Sequence, residues 1–479
     1  MKKFSKSFFH LMMFLLLTNN IFSQQITFSK IYNYNIGSNA NSVAYSVQQT
    51  SDTGYVIAGK VSKIVGSNWN GDLLVIKTDK YGDTLWTKTY GDSLMDWAQD
   101  IQKTSDGGYI VAGRKDYFVD MDNYFLYGDI WILKLDANGD TLWTKTYGGP
   151  YCDYANSIKQ TSDGGYIVAG IKNSYKINYL GDIWILKLDQ NGDTLWTKTF
   201  HFSYLSEATS IIQTAGGAFV FTGTGCVAKL SNSGDSIWYK NISSFKGNDI
   251  LQAADSSFIA VGFFNNSDDK IIKLDSTGNV VVWENLYPPA QGFYFKSNSV
   301  ALNLSGDIIT AGQKINENDI VNLPDDLWIK KNQSNGDTVW TKIYDLSLHD
   351  IGYSIKATND NGYIIAGTTN YYAWLIKLNG NGDTLTSIQE NRNNSFNTWN
   401  YPNPFSYSTS IYFEIPEHEC KKLKINIFNS TGTVIKTIML DKSEENHVLF
   451  EATNLPSGVY YYKINTENIS ICKKMVLIK

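Results

Sequence analysis

The sequence predicts an all-β protein: a seven-bladed β-propeller of four-stranded blades, followed by a small C-terminal β-sandwich. Three observations carry that expectation. The phrase "TSDGGYIVAG" at 104–113 and 161–170 recurs with drift at 50–59, 214–223, 253–262, 303–312 and 358–367. A second phrase, "NGDTLWTKTY" at 138–147, recurs closely at 81–90, 191–200 and 335–344. Finally, the composition is 14% aromatic, rich in Gly, Asn, Ser and Thr, and holds only 8 Pro, which favours strands and tight turns over helices.

In chain order, residues 1–24 read as a secretory signal peptide. Lys2, Lys3 and Lys6 give a basic start, "FFHLMMFLLL" an apolar stretch and "TNNIFSQ" a small, polar exit. The apolar run is shorter than the roughly 20 residues a membrane span needs, so the mature chain is expected to carry no transmembrane segment. Losing those three lysines takes the formal charge from −5 to −8. A mildly acidic chain without a Lys/Arg cluster argues against nucleic acid as a partner.

The propeller is expected over 25–390. The closing glycines of the first phrase (Gly59, Gly113, Gly170, Gly223, Gly262, Gly312, Gly367) are spaced by 54, 57, 53, 39, 50 and 55 residues, a propeller-like period. Within 153–200, "YANSIKQ", "YIVAG", "DIWILKLD" and "DTLWTKTF" read as strands A to D. "YIVAG" is continuously apolar like a doubly buried strand, and "WTKTF" alternates like a half-exposed outer one. Asp-Gly and Asn-Gly turns supply the positive φ that tight hairpins need. "ITFSKIYN" (26–33) resembles a D strand without its A, B and C. It is expected to complete the last blade beside "YAWLIKL" (372–378) and so close the ring.

In this arrangement the A–B and C–D turns share one face, and the B–C and D–A connections share the other. The second set is long and variable, as binding loops on a rigid scaffold are. It carries Trp69, Trp97, Tyr117, Tyr124, Tyr127, Tyr151, Tyr154, Tyr175 and Tyr204, rings suited to stacking on sugars. Packing of the loops onto the blades is the plainer explanation of the same rings. Acids before strand A (Asp96, Asp153, Glu207, Asp350) are candidates for the rim of the central channel, where they would hold a cation or cap a loop.

Other motifs point to structure. "LDANGDTLW" has alternating acids but lacks the length and bidentate Glu of a calcium loop. "SDGG" resembles the Asp-box turn of sialidase-like propellers. Those enzymes clamp a carboxylate with several arginines, whereas Arg114 is the sole arginine before Arg392. The D-strand tryptophans (Trp86, Trp143, Trp196, Trp238, Trp283, Trp340) read as packing between strands or neighbouring blades. No catalytic set, metal-ligand spacing or cofactor motif stands out. Cys152 and Cys226 fall in different repeats and are expected to be free, while Cys420 and Cys472 lie in the same terminal domain and could pair.

An Asn-rich linker is expected at 391–400. Beyond it, "YPNPFSYSTSIYFEI", "KLKINIFNSTGTVIKTI", "HVLFEATNLPSGVYYYKI" and "ICKKMVLIK" alternate like the strands of a small sandwich. Residues 401–479 resemble the type A C-terminal sorting domain of the Bacteroidetes type IX secretion system. The resemblance rests on Tyr401, Pro402, Asn403 and Pro404, on Leu455, Pro456, Ser457 and Gly458, and on Lys473 and Lys474 in the final strand. It implies recognition by that secretion machinery and release or display outside the cell. The propeller is therefore expected to be a secreted or surface-held binding or adhesion module for glycan or protein, more a binder than an enzyme. A polysaccharide-degrading enzyme using loop carboxylates and a purely structural surface component are the alternatives.

Overall fold

The computed structural model describes residues 26–32, 41–65, 68–120, 125–174, 181–201, 206–265, 268–287, 293–316, 325–347, 349–384, 397–403, 405–414, 422–429, 434–441, 447–465 and 470–479. The leader at 1–24 lies outside them. The chain divides into two compact units, Met1–Leu385 and Thr386–Lys479. Residues 397–400, assigned to the linker on sequence, instead run in Asn397–Tyr401, the first strand of the second unit.

The first unit is a β-propeller. Blade three shows the plan: Cys152–Gln160, Tyr166–Ser174, Asp182–Leu188 and Thr194–Phe200 pair antiparallel in that order. Blades one (41–90), two (95–147), five (245–287) and six (293–344) repeat it. Blade four is compressed: Phe219–Gly223 pairs with Ala208–Gln213, and Cys226–Leu230 pairs with the strand that starts at Ser236. Gly225, at φ 73°, turns the chain between the two halves. That turn replaces a B–C loop and explains the 39-residue spacing. Blade seven takes Asp350–Ala357, Tyr363–Thr369 and Tyr372–Leu378 from one end of the unit and Phe28–Tyr32 from the other, with Ile31 opposite Trp374.

Among the described residues, seven buried clusters sit between consecutive blades. One of them joins Ile364, Ala366 and Leu375 of blade seven to Val47, Ile57 and Leu74 of blade one, so the ring is closed.

The "NGDTLWTKTY" phrase is the strap between blades. Its outer-strand Trp, Lys and Tyr all reach the "NGD" turn of the next blade. Trp86 packs on Gly139, where an added Cβ would come 2.8 Å from the ring, and Gly139 itself stands at φ 80°. Lys88 bridges to Asp140 at 2.5 Å, and the Tyr90 hydroxyl donates to the Gly139 carbonyl at 2.5 Å. Trp143, Lys145 and Tyr147 treat Gly192 and Asp193 the same way. At the closure, Phe28, Lys30 and Tyr32 stand in for the Trp, Lys and Tyr. Lys30 bridges to Asp83 at 2.7 Å, and the Tyr32 hydroxyl donates to Gly82 at 2.8 Å.

The second unit packs a three-stranded sheet and a four-stranded sheet around Phe413, Ile425, Phe450, Tyr462 and Met475. Its motifs meet: the Asn403 Oδ1 accepts the Val476 amide at 2.9 Å, Phe405 exchanges amides with Val476 and Ile478, and Ser457 Oγ accepts the Lys479 amide. Leu455 packs on the core, while Pro402, Asn403, Pro456, Ser457, Gly458 and Lys473 are exposed. Pro404 and the side chains of Tyr401 and Lys474 lie outside the description, as do those of Cys420 and Cys472.

Candidate functional site

Each first strand lines the axis of the propeller and carries a β-bulge at an equivalent place: Tyr45, Gln99, Asn156, Thr209, Asn248, Asn298 and Tyr353 are the extra residues. These seven, with the Ser or Asp that follows each, surround a polar axial cavity of about 270 Å³. The Ser/Asp ring stitches the blades together. Ile158 N donates to Asp100 at 3.0 Å, Val300 N to Asp249 at 3.0 Å, and Ile355 N to Ser299 at 3.2 Å. Several bulged residues also reach onward, as when Asn156 donates to the Ala208 carbonyl (2.9 Å) and Asn298 to that of Gly352 (2.9 Å).

Trp97, Tyr117 and Tyr154 come together at the loop-face end of this channel. Between them lies Arg114, its guanidinium carbon 4.5 Å from the Trp97 ring, 4.6 Å from Tyr117 and 4.0 Å from Tyr154. The Tyr154 hydroxyl donates to Glu207 at 3.1 Å, and Glu207 pairs with Lys246 at 2.6 Å. Lys60, whose pKa burial pulls down, lies 5.8 Å over Trp97. Sequence reasoning used the rarity of Arg114 only against a sialidase reading and did not place it in a site.

Tyr127 and Tyr151 line a separate cleft of about 540 Å³ on the loops of blade two and the connections that flank it, with Phe118, Asp92, Asp116 and Asp129. Phe118, 43% exposed, stacks on Tyr127 with ring centres 4.6 Å apart. Tyr124, Tyr175 and Tyr204 lie outside the described residues, and Trp69 is placed in Asn68–Thr78 without its side chain.

Of the four acids, only Glu207 lines the channel cavity. Asp96, Asp153 and Asp350 are buried and cap loops instead, a correction to the channel-rim placement. Asp96 accepts the amides of Asp116 (2.7 Å) and Asp92 (3.1 Å), Asp153 that of Gly149 (2.8 Å), and Asp350 that of Ser347 (2.8 Å). Register explains the error, because Glu207 sits one residue later in its strand than the other three. The carboxylates of Asp92, Asp96 and Asp116 approach one another, and Lys115 bridges Asp92 (2.6 Å) and Asp116 (3.1 Å). "LDANGDTLW" is a hairpin turn in which Asp136 accepts the amides of Asn138 and Asp140. Cys152 and Cys226 are free and buried.

The fold and its tail define an exported propeller. Residues 400–479 match the family described as "Secretion system C-terminal sorting domain". This tail is of the type IX class and implies recognition by that machinery and export to the cell surface or beyond. No curated protein matches the chain. Among solved structures, a protein of unknown function from Bacteroides caccae is similar at 12% identity and TM-score 0.40, over 63% of this chain and 99% of its own. An α-L-arabinanase from Penicillium chrysogenum is similar at 9% identity and TM-score 0.41, over 74% and 99%. Neither likeness carries an argument about activity. Among the described residues no helix is long and apolar enough to cross a membrane.

Proposed function

We propose that this chain is an exported, non-catalytic glycan-binding module that engages its ligand through the B–C/D–A face. The observation that carries this reading is the cleft on the loops around blade two. There the stacked, part-exposed Phe118–Tyr127 pair offers a flat apolar surface, and Asp92, Asp116, Asp129 and Tyr151 offer hydrogen-bonding groups beside it. Sugars present one apolar ring face and a belt of hydroxyls, which is the complement of such a surface.

The test is a glycan array and a reducing-sugar assay on the full secreted chain. Binding without sugar release is expected, with Phe118→Ala weakening it about tenfold, equivalent to roughly 1.4 kcal/mol. Release of reducing ends would transfer the reading to a hydrolase, and silence in both assays to a structural surface component.

A further inference from the structure

The strongest unassigned feature is Arg114. It is 8% exposed, its Nε is fully covered, and among the described residues its guanidinium has no hydrogen-bond or ion-pair partner. Burying donors of a charged group without acceptors is costly. The flat faces are covered by Trp97, Tyr117 and Tyr154 and the Nε is buried, which leaves the Nη edge, with four of the five N–H donors, as the part still able to bind. An edge-on guanidinium matches the two oxygens of a carboxylate. The nearby acid does not fill this role, since Glu207 is committed to Lys246 and to the Tyr154 hydroxyl.

Arg114 does not itself line the axial cavity; it sits beyond the cavity's loop-face end. Trp97 and Tyr154 precede the cavity-lining Gln99 and Asn156 by two residues on the same strands, roughly 7 Å along each. Inside the cavity, the Gln99 amide, the Tyr45 and Tyr353 hydroxyls and the Lys356 ammonium make no hydrogen bond among the described residues. The strands therefore place a carboxylate reader beyond one end of a small chamber that carries uncommitted amide and hydroxyl groups, together with the Lys356 ammonium, which acts on Asp100. Lys60 near Trp97 adds positive charge at the same end.

We propose that the axial cavity is a second binding site, distinct from the cleft, that takes a small polyhydroxylated carboxylate of the uronic-acid class, with Arg114 reading the carboxylate. The site size and its ring of hydroxyl and amide groups favour a single sugar acid over a chain. The probes are galacturonate, neutral galactose and succinate, each titrated calorimetrically into the full secreted chain. Galacturonate is expected to bind at least tenfold more tightly than galactose or succinate. Arg114→Gln should erase the preference over galactose, Arg114→Lys should restore part of it, and Gln99→Ala should weaken galacturonate several-fold. Should the Arg114 variants fold poorly, the wild-type chain still decides: galacturonate should raise its melting temperature and galactose should not. Equal response to both sugars, succinate binding as tightly as galacturonate, no response to galacturonate, or galacturonate binding that survives Arg114→Gln would each overturn the proposal.

Discussion

Lys330 and Asp269 form an ion pair at 2.5 Å with both side chains 0% exposed, joining blades six and five. Lys330 stands where other blades place an apolar residue such as Leu133 or Leu186, in "LWIKK" rather than "IWILK". Burial pulls its pKa down, and the Asp269 carboxylate opposes that pull. The Tyr287 ring, 3.2 Å from the ammonium, and the Ser297 amide, 2.8 Å from Asp269, complete the arrangement. Removing one partner strands a charge in the interior. Asp269→Ala is therefore expected to cost about 3–5 kcal/mol, while the double variant Asp269→Ala/Lys330→Met regains most of it. Chemical denaturation of both variants checks this, and a single variant as stable as the parent would refute it. The lysine was visible in the sequence. Its partner, 61 residues away, was not, because pairing across blades depends on which strands the ring makes neighbours.

At the level of strands and turns the sequence was most readable. The turn chemistry, the apolar second strands and the alternating outer strands are periodic, local signals, and the structure follows them. The closing strand was legible because "FSKIY" keeps the outer-strand rhythm. What escaped was set by irregularity: the bulge in every first strand shifts register by one, so alternation misplaces Asp96, Asp153 and Asp350 relative to the channel. Convergence of Trp97, Tyr117 and Tyr154 on Arg114 was equally hidden, since three strands of two blades build it. The strap itself is testable. Trp143→Ala should cost about 3–5 kcal/mol by leaving the Gly192 turn unpacked. Deleting residues 26–32 removes a strand, its strap and Tyr32 from a buried core together, and should lower the melting temperature more than Trp143→Ala does. A deletion that melts like the parent would contradict closure by this strand.

Across the whole molecule, two groups of aspartates give stability opposite dependences on pH. In the A–B turns, burial raises the Asp106 and Asp163 pKa values, but hydrogen bonds from Lys134 and Thr104, and from Thr161 and Lys187, outweigh it and bring both to about 2. Their folded pKa lies below the unfolded value near 3.8, so their stabilisation is complete above pH 4 and fades as pH falls towards 2. Asp96 and Asp325 are pushed up to about 6 by burial. In the folded state they hold protons that the unfolded chain has released, so stability falls as pH rises from about 4 to 6. The melting temperature is expected to peak near pH 4–5, declining steeply below it and gently above. A midpoint that climbs steadily from pH 4 to 8 would contradict these assignments. The strand that closes the ring also sets a schedule for folding. The Trp374 indole donates to the Ser29 hydroxyl across 345 residues of chain, so the first strand made must wait for the last ones before it can pair. Contacts so distant in sequence form slowly, after their loop entropy has been overcome by the blades between them. A polypeptide cut short of Leu378 would keep two raw sheet edges, open to proteases and to other chains.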